Sequence, residues 1–105
     1  MKYRKITAII PDSELDALEQ ELGVIGVTAM TVSPVRGIGD YKNFFNKDGM
    51  SECTRVEIFC LASKAAEIKE TIIKSVGKGL KTDGMIAILP VEELIHINDY
   101  SEVTK

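Results

Sequence analysis

The sequence predicts an α+β domain in which two β-α-β units are joined by a long loop. Three observations predict it: each unit opens with an alternating apolar stretch, a helical pattern and then a further strand follow, and a glycine-rich segment without a period separates the units. This order is the ferredoxin-like split βαβ pattern, with an antiparallel sheet and both helices on one face. The 105 residues fit a single domain, 1–105.

The first unit opens with YRKITAII, which alternates as a strand does. Its inward residues are expected to be Ile6, Ala8 and Ile10. Leucines recur at helical spacing in SELDALEQELG, so an amphipathic helix follows, with Asp12 or Ser13 as its cap and Gly23 as its end. The segment VTAMTVSPVRG is rich in β-branched residues and predicts the second strand, with Pro34 at an edge or bulge.

The second unit repeats this order after an exposed loop over residues 37–52. Loops of that length in compact domains are usually functional or disordered. TRVEIFCLA alternates as a strand, and Ser63 can cap the helix KAAEIKETIIKSV. The helix has one apolar stripe, formed by Ala65, Ile68, Ile72 and Val76. MIAILPV is the fourth strand, and EELIHINDY is a short extended or helical tail.

The sheet face away from the helices is expected to be too apolar to remain in water. Its residues are expected to be Ile9, Ala29, Thr31, Glu57, Phe59, Leu61, Ile86 and Ile88, or their neighbours if the register differs by one. Self-association would cover this face. We therefore expect a homo-oligomer whose sheets face inward.

Composition and charge exclude several classes of protein. Thirteen Lys/Arg against sixteen Asp/Glu give a net charge of −3, which does not favour nucleic acid or an acidic membrane as a partner. No apolar run approaches the ~20 residues of a membrane span, and the first residues lack a signal-peptide core, so a cytoplasmic protein is expected. Cys53 and Cys60 stand about 23 Å apart on a strand and cannot form a disulfide with each other. Their spacing also predicts no metal site.

No catalytic constellation can be assembled from the residues. His96 is the only histidine, G-x-S-x-G is absent, and no base partner for either cysteine is recognisable, so the chain is not expected to be an enzyme. Between two isoleucines, His96 is more typical of a partly buried structural residue than of a ligand contact. On the loop, Tyr41, Phe44 and Phe45 are either a partner-binding tip or a local hydrophobic anchor.

The segment GKGLKTDGM, residues 77–85, holds three glycines and two lysines between a helix and a strand. It lacks P-loop spacing and runs from helix to strand. Backbone amides freed by glycine, with Lys78 and Lys81 nearby, could hold an anion. An ordinary flexible turn explains the same residues.

Three stretches together resemble the PII signal-transduction proteins, the nitrogen-regulatory trimers. They are KITAIIPDSELDALEQELGVIGVTAMTVSPVRGIG, RVEIF and TIIKSVGKGLKTDGMIAILPVEELIHI. The family pattern includes an A-I-I run ending the first strand, a G-M-T-V-x-x-V-x-G-x-G segment, and a T-G-x-x-G-D-G-x-I-x-V-x-P-V turn and strand. The resemblance covers almost the whole chain except the central loop.

This resemblance implies a homotrimer that binds an adenine nucleotide, ATP, ADP, AMP or cyclic AMP, in clefts between subunits. A mobile loop, the T-loop, would report site occupancy to a partner. Adenine and ribose contacts would come from Ile9, Thr31, Glu57 and Phe59. Phosphate contacts would come from Gly37, Gly39, Gly79, Leu80, Lys81, Thr82, Asp83 and Gly84. The family's closing pair of arginines falls at His96 and Asn98.

Four cations of the family pattern are missing, because Asp40, Met85, His96 and Asn98 stand in their places. ATP carries close to four negative charges, so ADP, AMP or cyclic AMP is a better ligand for this chain than magnesium-ATP. The loop is shorter than in typical members and lacks their tyrosine motif. We therefore expect a divergent PII-like protein without that modification, whose loop 37–52 regulates a membrane transporter or an enzyme.

Other functions share the same predicted architecture. An ACT-type module would bind an amino acid near Pro11 and Asp12, and a CutA-like trimer would act in metal tolerance. An acylphosphatase needs an arginine cradle, and the segment AIIPDSE contains no arginine.

Overall fold

The computed structural model describes residues 1–36, 53–79 and 84–98. Within these ranges the elements are β1 (Tyr3–Pro11), α1 (Leu15–Val24), β2 (Thr31–Val35), β3 (Cys53–Leu61), α2 (Ala65–Val76) and β4 (Met85–Val91). The strands form one sheet in the order β2-β3-β1-β4, and every neighbouring pair is antiparallel. The predicted α+β, ferredoxin-like fold is confirmed. The segment 92–98 after β4 contains no strand, and only its last two residues are helical.

The core lies between the sheet and the two helices. Alternate residues of β1 and β3 are buried, as are one face of α1 and the whole predicted stripe of α2. The buried cluster is Ile6, Ala8, Ile10, Leu18, Leu22, Val56, Ile58, Ala65, Ile68, Ile72 and Val76. Both helices therefore cover the same face of the sheet, and the opposite face is uncovered in the single chain. Pro34 lies in β2, which is an edge strand, as predicted.

The register of β4 differs from the expectation by one residue. Ile88 is the Cα partner of Ile6, and Ile86 is the partner of Ala8. Paired residues of antiparallel strands project from the same face, so both isoleucines lie on the helix side. On the open face, β4 contributes the intervening residues, Ala87 and Leu89. The placement of Ile86 and Ile88 on the open face was wrong, because MIAILPV is apolar throughout and its alternation could not set the register.

The expected side-chain caps do not form. A 3₁₀ turn precedes each helix, Asp12–Glu14 before α1 and Ala62–Lys64 before α2. The backbone carbonyls of Asp12 and Ala62 accept hydrogen bonds from the first helical amides, so these amides have backbone partners. The Asp12 carboxylate instead accepts a hydrogen bond from Thr54 Oγ1 at 2.6 Å. The predictions of Asp12, Ser13 and Ser63 as caps were therefore wrong.

The end of α1 also differs from the sequence-based expectation. Gly23 lies inside the helix, which continues to Val24. Gly26 takes the left-handed conformation after it, with φ of 94°, and its amide donates to the carbonyl of Gly23 at 3.1 Å. Ala29 lies in the connector between α1 and β2 and not on a strand. This connector, residues 25–30, joins α1 to the edge strand β2.

Both cysteines lie on β3 as reduced thiols, Cys53 buried and Cys60 half-buried. Burial raises the pKa of the Cys60 thiol, and the positive charge of Arg4 opposes this effect. Among the described residues, no helix is long and apolar enough to cross a membrane.

Candidate functional site

Four of the predicted site residues lie on the open face of three adjacent strands. Thr31 on β2 is the Cα partner of Glu57 on β3. Phe59 follows two residues along β3, and Ile9 pairs with Arg55 of the same face. The period of a strand is two residues, so Ile9, Thr31, Glu57 and Phe59 share one side of the sheet. The fold thus brings together residues that are far apart in the sequence.

Glu57 is the acceptor at the centre of a charged cluster on this face. Lys5 Nζ lies 2.6 Å from Glu57 Oε2, and Arg55 Nε lies 3.8 Å from Glu57 Oε1. The hydrogen bond from Lys5 holds the pKa of Glu57 below its ordinary value, and partial desolvation opposes this shift. The positive charges of Lys5 and Arg55 also lower the pKa. Glu57 is therefore ionised at neutral pH.

Lys5 also lies beside the aromatic ring of this face. Its Nζ is 5.9 Å from the centroid of Phe59, within the range of a cation–π contact. Phe59 is 52% exposed, an unusual exposure for a phenylalanine at the centre of a sheet. The resemblance gave no role to Lys5, and the residue was missed at the sequence level. Only the pairing of Lys5 with Phe59 across β1 and β3 shows their proximity.

A cleft opens where the connector before β2 separates from β3. Pairing of β2 with β3 reaches Thr31 and Glu57 and does not extend to the preceding connector residues. This cleft has a volume of about 200 Å³, and a separate cleft between α2 and β4 has a volume of about 400 Å³. The lining of this smaller cleft comes from the connector, from β3 and from α2, and includes Ile58, Cys60 and Ile68 of the helix side. The cleft therefore lies on the helix side of β3, and the exposed ring of Phe59 lies on the opposite, open face with Glu57.

The larger cleft lies between α2 and β4 and is lined mainly by apolar side chains. It exists because β4 is an edge strand whose helix-side residues are incompletely covered, with Ile88 40% exposed and Ile73 of α2 51% exposed. Gly77 and Gly84 also line it. This cleft was not predicted from the sequence. The signal that could have revealed it is the uninterrupted apolar character of MIAILPV, which is typical of a strand with both faces covered.

The glycine-rich turn between α2 and β4 is described at its two ends. Gly79 has φ of 75° and Gly84 has φ of 124°, conformations that residues with a Cβ rarely adopt. Lys78 Nζ lies 2.5 Å from Glu14 Oε1, which fastens the turn to the 3₁₀ turn ahead of α1. The side chain suggested as a phosphate ligand therefore has a carboxylate partner.

The remaining predicted site residues differ in what the structure says of them. His96 and Asn98 are exposed in the segment after β4, so the expectation that His96 is partly buried was wrong. The other predicted residues lie outside the described part of the chain: Gly37, Gly39, Leu80, Lys81, Thr82 and Asp83 for the nucleotide, and Tyr41, Phe44 and Phe45 for the loop. In the described ranges, no group of three His, Cys, Asp or Glu side chains could hold a metal ion.

Comparisons with known proteins identify relatives of this chain and of its fold. The family model for "Nitrogen regulatory protein P-II" matches residues 3–100. A nitrogen regulatory protein P-II of Nostoc punctiforme is 35% identical over 101 residues, covering 90% of each chain. A P-II protein of Pasteurella multocida is 30% identical over 106 residues, covering 94% of this chain and 95% of its own. The crystal structure of Arabidopsis thaliana PII bound to citrate superposes with a TM-score of 0.78 at 28% identity, covering 92% of this chain and 82% of that one.

Proposed function

The chain belongs to the nitrogen regulatory protein P-II family, and from that premise we propose that it is a non-enzymatic regulator that binds an adenine nucleotide between subunits. The observation that carries the proposal is the convergence of Thr31, Glu57 and Phe59 on the open face of the sheet. An aromatic ring supplies a stacking surface, and a carboxylate accepts hydrogen bonds from amino or hydroxyl groups. Adenosine presents both kinds of group.

The proposal includes a homotrimer whose sheets face inward. In the single chain the open face carries several exposed large side chains, among them Phe59 at 52%, Leu61 at 42% and Leu89 at 43%. Contiguous exposed apolar surface of this kind is typical of an interface. A second copy of the chain, with the same surface, is the simplest partner to cover it. Each nucleotide site would then lie at the seam between two copies.

The ligand we favour has fewer charges than magnesium-ATP. Four positions where the family pattern carries cations hold Asp40, Met85, His96 and Asn98. Lys78 is partly neutralised by Glu14. A triphosphate, with its larger negative charge, would therefore have too few charge-assisted contacts in this site. ADP, AMP and cyclic AMP carry less charge and need fewer such contacts. The related Arabidopsis protein has been solved with citrate, so a small polycarboxylate belongs among the ligands to be tested.

The route from the site to a partner is the loop over residues 37–52. The strands on either side of it are paired, because Val35 at the end of β2 is the Cα partner of Cys53 at the start of β3. The same strand pair carries Thr31, Glu57 and Phe59. Ligand contacts on these strands can therefore bias the arrangement of the loop, with Tyr41, Phe44 and Phe45 as the partner-binding side chains. We propose a cytoplasmic protein that regulates a membrane transporter or an enzyme in this way.

The alternatives receive less support. In an ACT-type module, the ligand would lie near Pro11 and Asp12. The Asp12 carboxylate is already bonded to the buried Thr54 hydroxyl at 2.6 Å, which gives it a structural role. The matching family model and the relatives all carry the P-II description, and none of them supports an ACT-type or a CutA-like function.

Titration calorimetry tests the proposal with ADP, AMP, cyclic AMP, ATP with and without magnesium, and citrate. We expect saturable binding of an adenine nucleotide and a trimer by native mass spectrometry. Gly84→Ala should weaken binding at least tenfold, because φ of 124° is strained with a Cβ and the turn must distort. Gly23→Ala, with open space around the added Cβ, is the matched control and should bind normally. Absence of binding by every ligand, or a stable monomer, would contradict the proposal.

A further inference from the structure

We propose that Lys5 is a positioning residue of the nucleotide site, which holds Glu57 so that its second carboxylate oxygen accepts a hydrogen bond from an amino or hydroxyl group of the ligand. This inference rests on the proposed function and deepens it. It names the chemical group that the site recognises and the side chain that prepares the site for it. Lys5 itself need not touch the ligand.

The two oxygens of Glu57 have different surroundings. Oε2 lies 2.6 Å from Lys5 Nζ, the length of a strong charge-assisted hydrogen bond. Oε1 lies 3.8 Å from Arg55 Nε, too far for a hydrogen bond. One oxygen is therefore engaged and the other retains acceptor capacity among the described residues. With its side chain only 21% exposed, Glu57 is held at the sheet surface and does not extend into solvent.

Charge balance gives Lys5 a second effect on the same site. An unpaired carboxylate would repel the phosphate groups of any nucleotide bound nearby. Lys5 and Arg55 flank Glu57, so the three side chains together carry one net positive charge. Removing the Lys5 ammonium would leave a neutral pair with a less constrained carboxylate. The lysine thus lets an acidic residue take part in recognising a polyanionic ligand.

Lys5 also connects Glu57 to the aromatic ring on the open face of the sheet. Its Nζ lies 5.9 Å from the Phe59 centroid, and Lys5 and Phe59 are Cα partners across β1 and β3. The Phe59 ring is 52% exposed on the open face of the sheet. A single ammonium group therefore restrains both the acceptor and the ring. This arrangement fits a ligand that places a planar base on the ring and a hydrogen-bond donor on the carboxylate.

The test compares three probes: ADP, 2′-deoxy-ADP and inosine diphosphate, which replaces the amino group of adenine with a carbonyl oxygen. We expect the wild type to prefer ADP about tenfold over one of the two analogues, and the affected analogue identifies the donor. Lys5→Gln should weaken ADP binding about tenfold and abolish that preference. Lys5→Arg, which keeps the positive charge, should restore most of the ADP affinity and of the preference. Lys74→Gln removes an exposed lysine from the last turn of α2 and should change neither the ADP affinity nor the preference.

A second readout separates positioning from a merely structural effect. An NMR titration of the Glu57 carboxyl carbon should give a higher pKa in Lys5→Gln than in the wild type, with the trimer intact. Normal ADP binding and an unchanged preference in Lys5→Gln would overturn this inference alone. Equal weakening of all three probes together with loss of the trimer would also overturn it. If the wild type binds no adenine nucleotide, the proposed function itself fails.

Discussion

Lys78 donates a hydrogen bond from Nζ to Oε1 of Glu14 at 2.5 Å, across 64 positions of sequence. The contact joins the glycine-rich turn after α2 to the 3₁₀ turn before α1. The Lys78 side chain is 60% exposed and that of Glu14 only 15%, so the lysine reaches from solvent toward a more sheltered carboxylate. The sequence alone suggests Lys78 as an anion ligand, and the structure adds a competitor for its charge.

Replacing Glu14 with glutamine should therefore increase the affinity for ADP severalfold. The uncharged amide neutralises the Lys78 ammonium less, so more of its positive charge can act on a phosphate group of the ligand. The free energy of unfolding should fall by less than ~1 kcal/mol, because ion pairs with an exposed partner contribute little. Calorimetry gives the first quantity and urea denaturation the second.

The control for this variant is Glu19→Gln, which removes the same charge from an exposed position of α1. It should leave the ADP affinity unchanged, since no ion pair of Glu19 is seen in the described ranges. An unchanged or reduced affinity in Glu14→Gln would mean that Lys78 does not contact the nucleotide.

Two glycines at the end of α1 should respond in opposite directions to alanine. Gly23 is helical, and an added Cβ meets nothing within 4 Å, so Gly23→Ala should stabilise the protein by ~0.5–1 kcal/mol. Gly26 has φ of 94°, and Gly26→Ala should cost ~1–2 kcal/mol although its Cβ also has open space. Thermal and urea unfolding at one protein concentration would measure both. Equal effects of the two substitutions would contradict the assignment of Gly26 as the left-handed residue.

The core of the helix layer gives a third prediction. Leu18 is fully buried, so Leu18→Ala should lower the free energy of unfolding by ~2–5 kcal/mol through lost burial and a residual cavity. Val24, on the same helix, is 81% exposed, and Val24→Ala should change stability by less than ~0.5 kcal/mol. Urea denaturation of both variants decides the matter. A small effect of Leu18→Ala would show that α1 packs less closely on the sheet than described.

The elements best predicted from sequence are those whose apolar and polar positions separate sharply. In β1, Ile6, Ala8 and Ile10 are buried as their alternation predicts. In α2, the entire stripe from Ala65 to Val76 is buried at the expected spacing. Each of these patterns admits one orientation of the element toward the core, so local periodicity was sufficient.

Other features depend on contacts between distant segments, and periodicity cannot reveal them. MIAILPV is apolar at nearly every position, so its register came only from pairing with β1. Asp12 has the composition of a helix cap, but the hydroxyl of Thr54, 42 residues away, competes for its carboxylate. The site shows the same division. Family resemblance suggested Glu57 and Phe59, whereas the contact of both with Lys5 required the pairing of β1 with β3.

The two cysteines should differ in reactivity toward iodoacetamide in the folded protein. Cys53 is buried, at 2% exposure, and should react only on unfolding. Cys60 is half-buried with a raised pKa, since desolvation disfavours its thiolate, and should react more slowly than a free thiol at pH 8. Mass spectrometry of partly alkylated protein would locate the label. Faster labelling of Cys53 than of Cys60 would contradict the described burial of β3.

The Glu57 cluster should make stability depend on pH in the acidic range. The pKa of Glu57 in the folded state lies below its ordinary value of 4.5, mainly because Lys5 donates a hydrogen bond to the ionised form. The unfolded chain therefore binds the proton more readily, and the contribution of this carboxylate is fully present above pH ~4.5. It is lost as the pH falls through the lower folded-state value. Urea unfolding of wild type and Glu57→Gln at several pH values measures this contribution.

We expect wild type to be the more stable protein at pH 7, and the difference from Glu57→Gln to shrink as the pH is lowered below 4.5. Glu70→Gln, which changes an exposed carboxylate of α2, should show little change in its difference from wild type over the same range. When both proteins also carry Lys5→Gln, the stability difference due to Glu57→Gln should depend less on pH. The hydrogen bond that lowers the pKa of Glu57 is then weaker, and the attraction from Lys5 is gone. A Glu57→Gln difference that stays constant with pH would show that Lys5 does not stabilise the ionised carboxylate, and the charged cluster would then have no energetic basis.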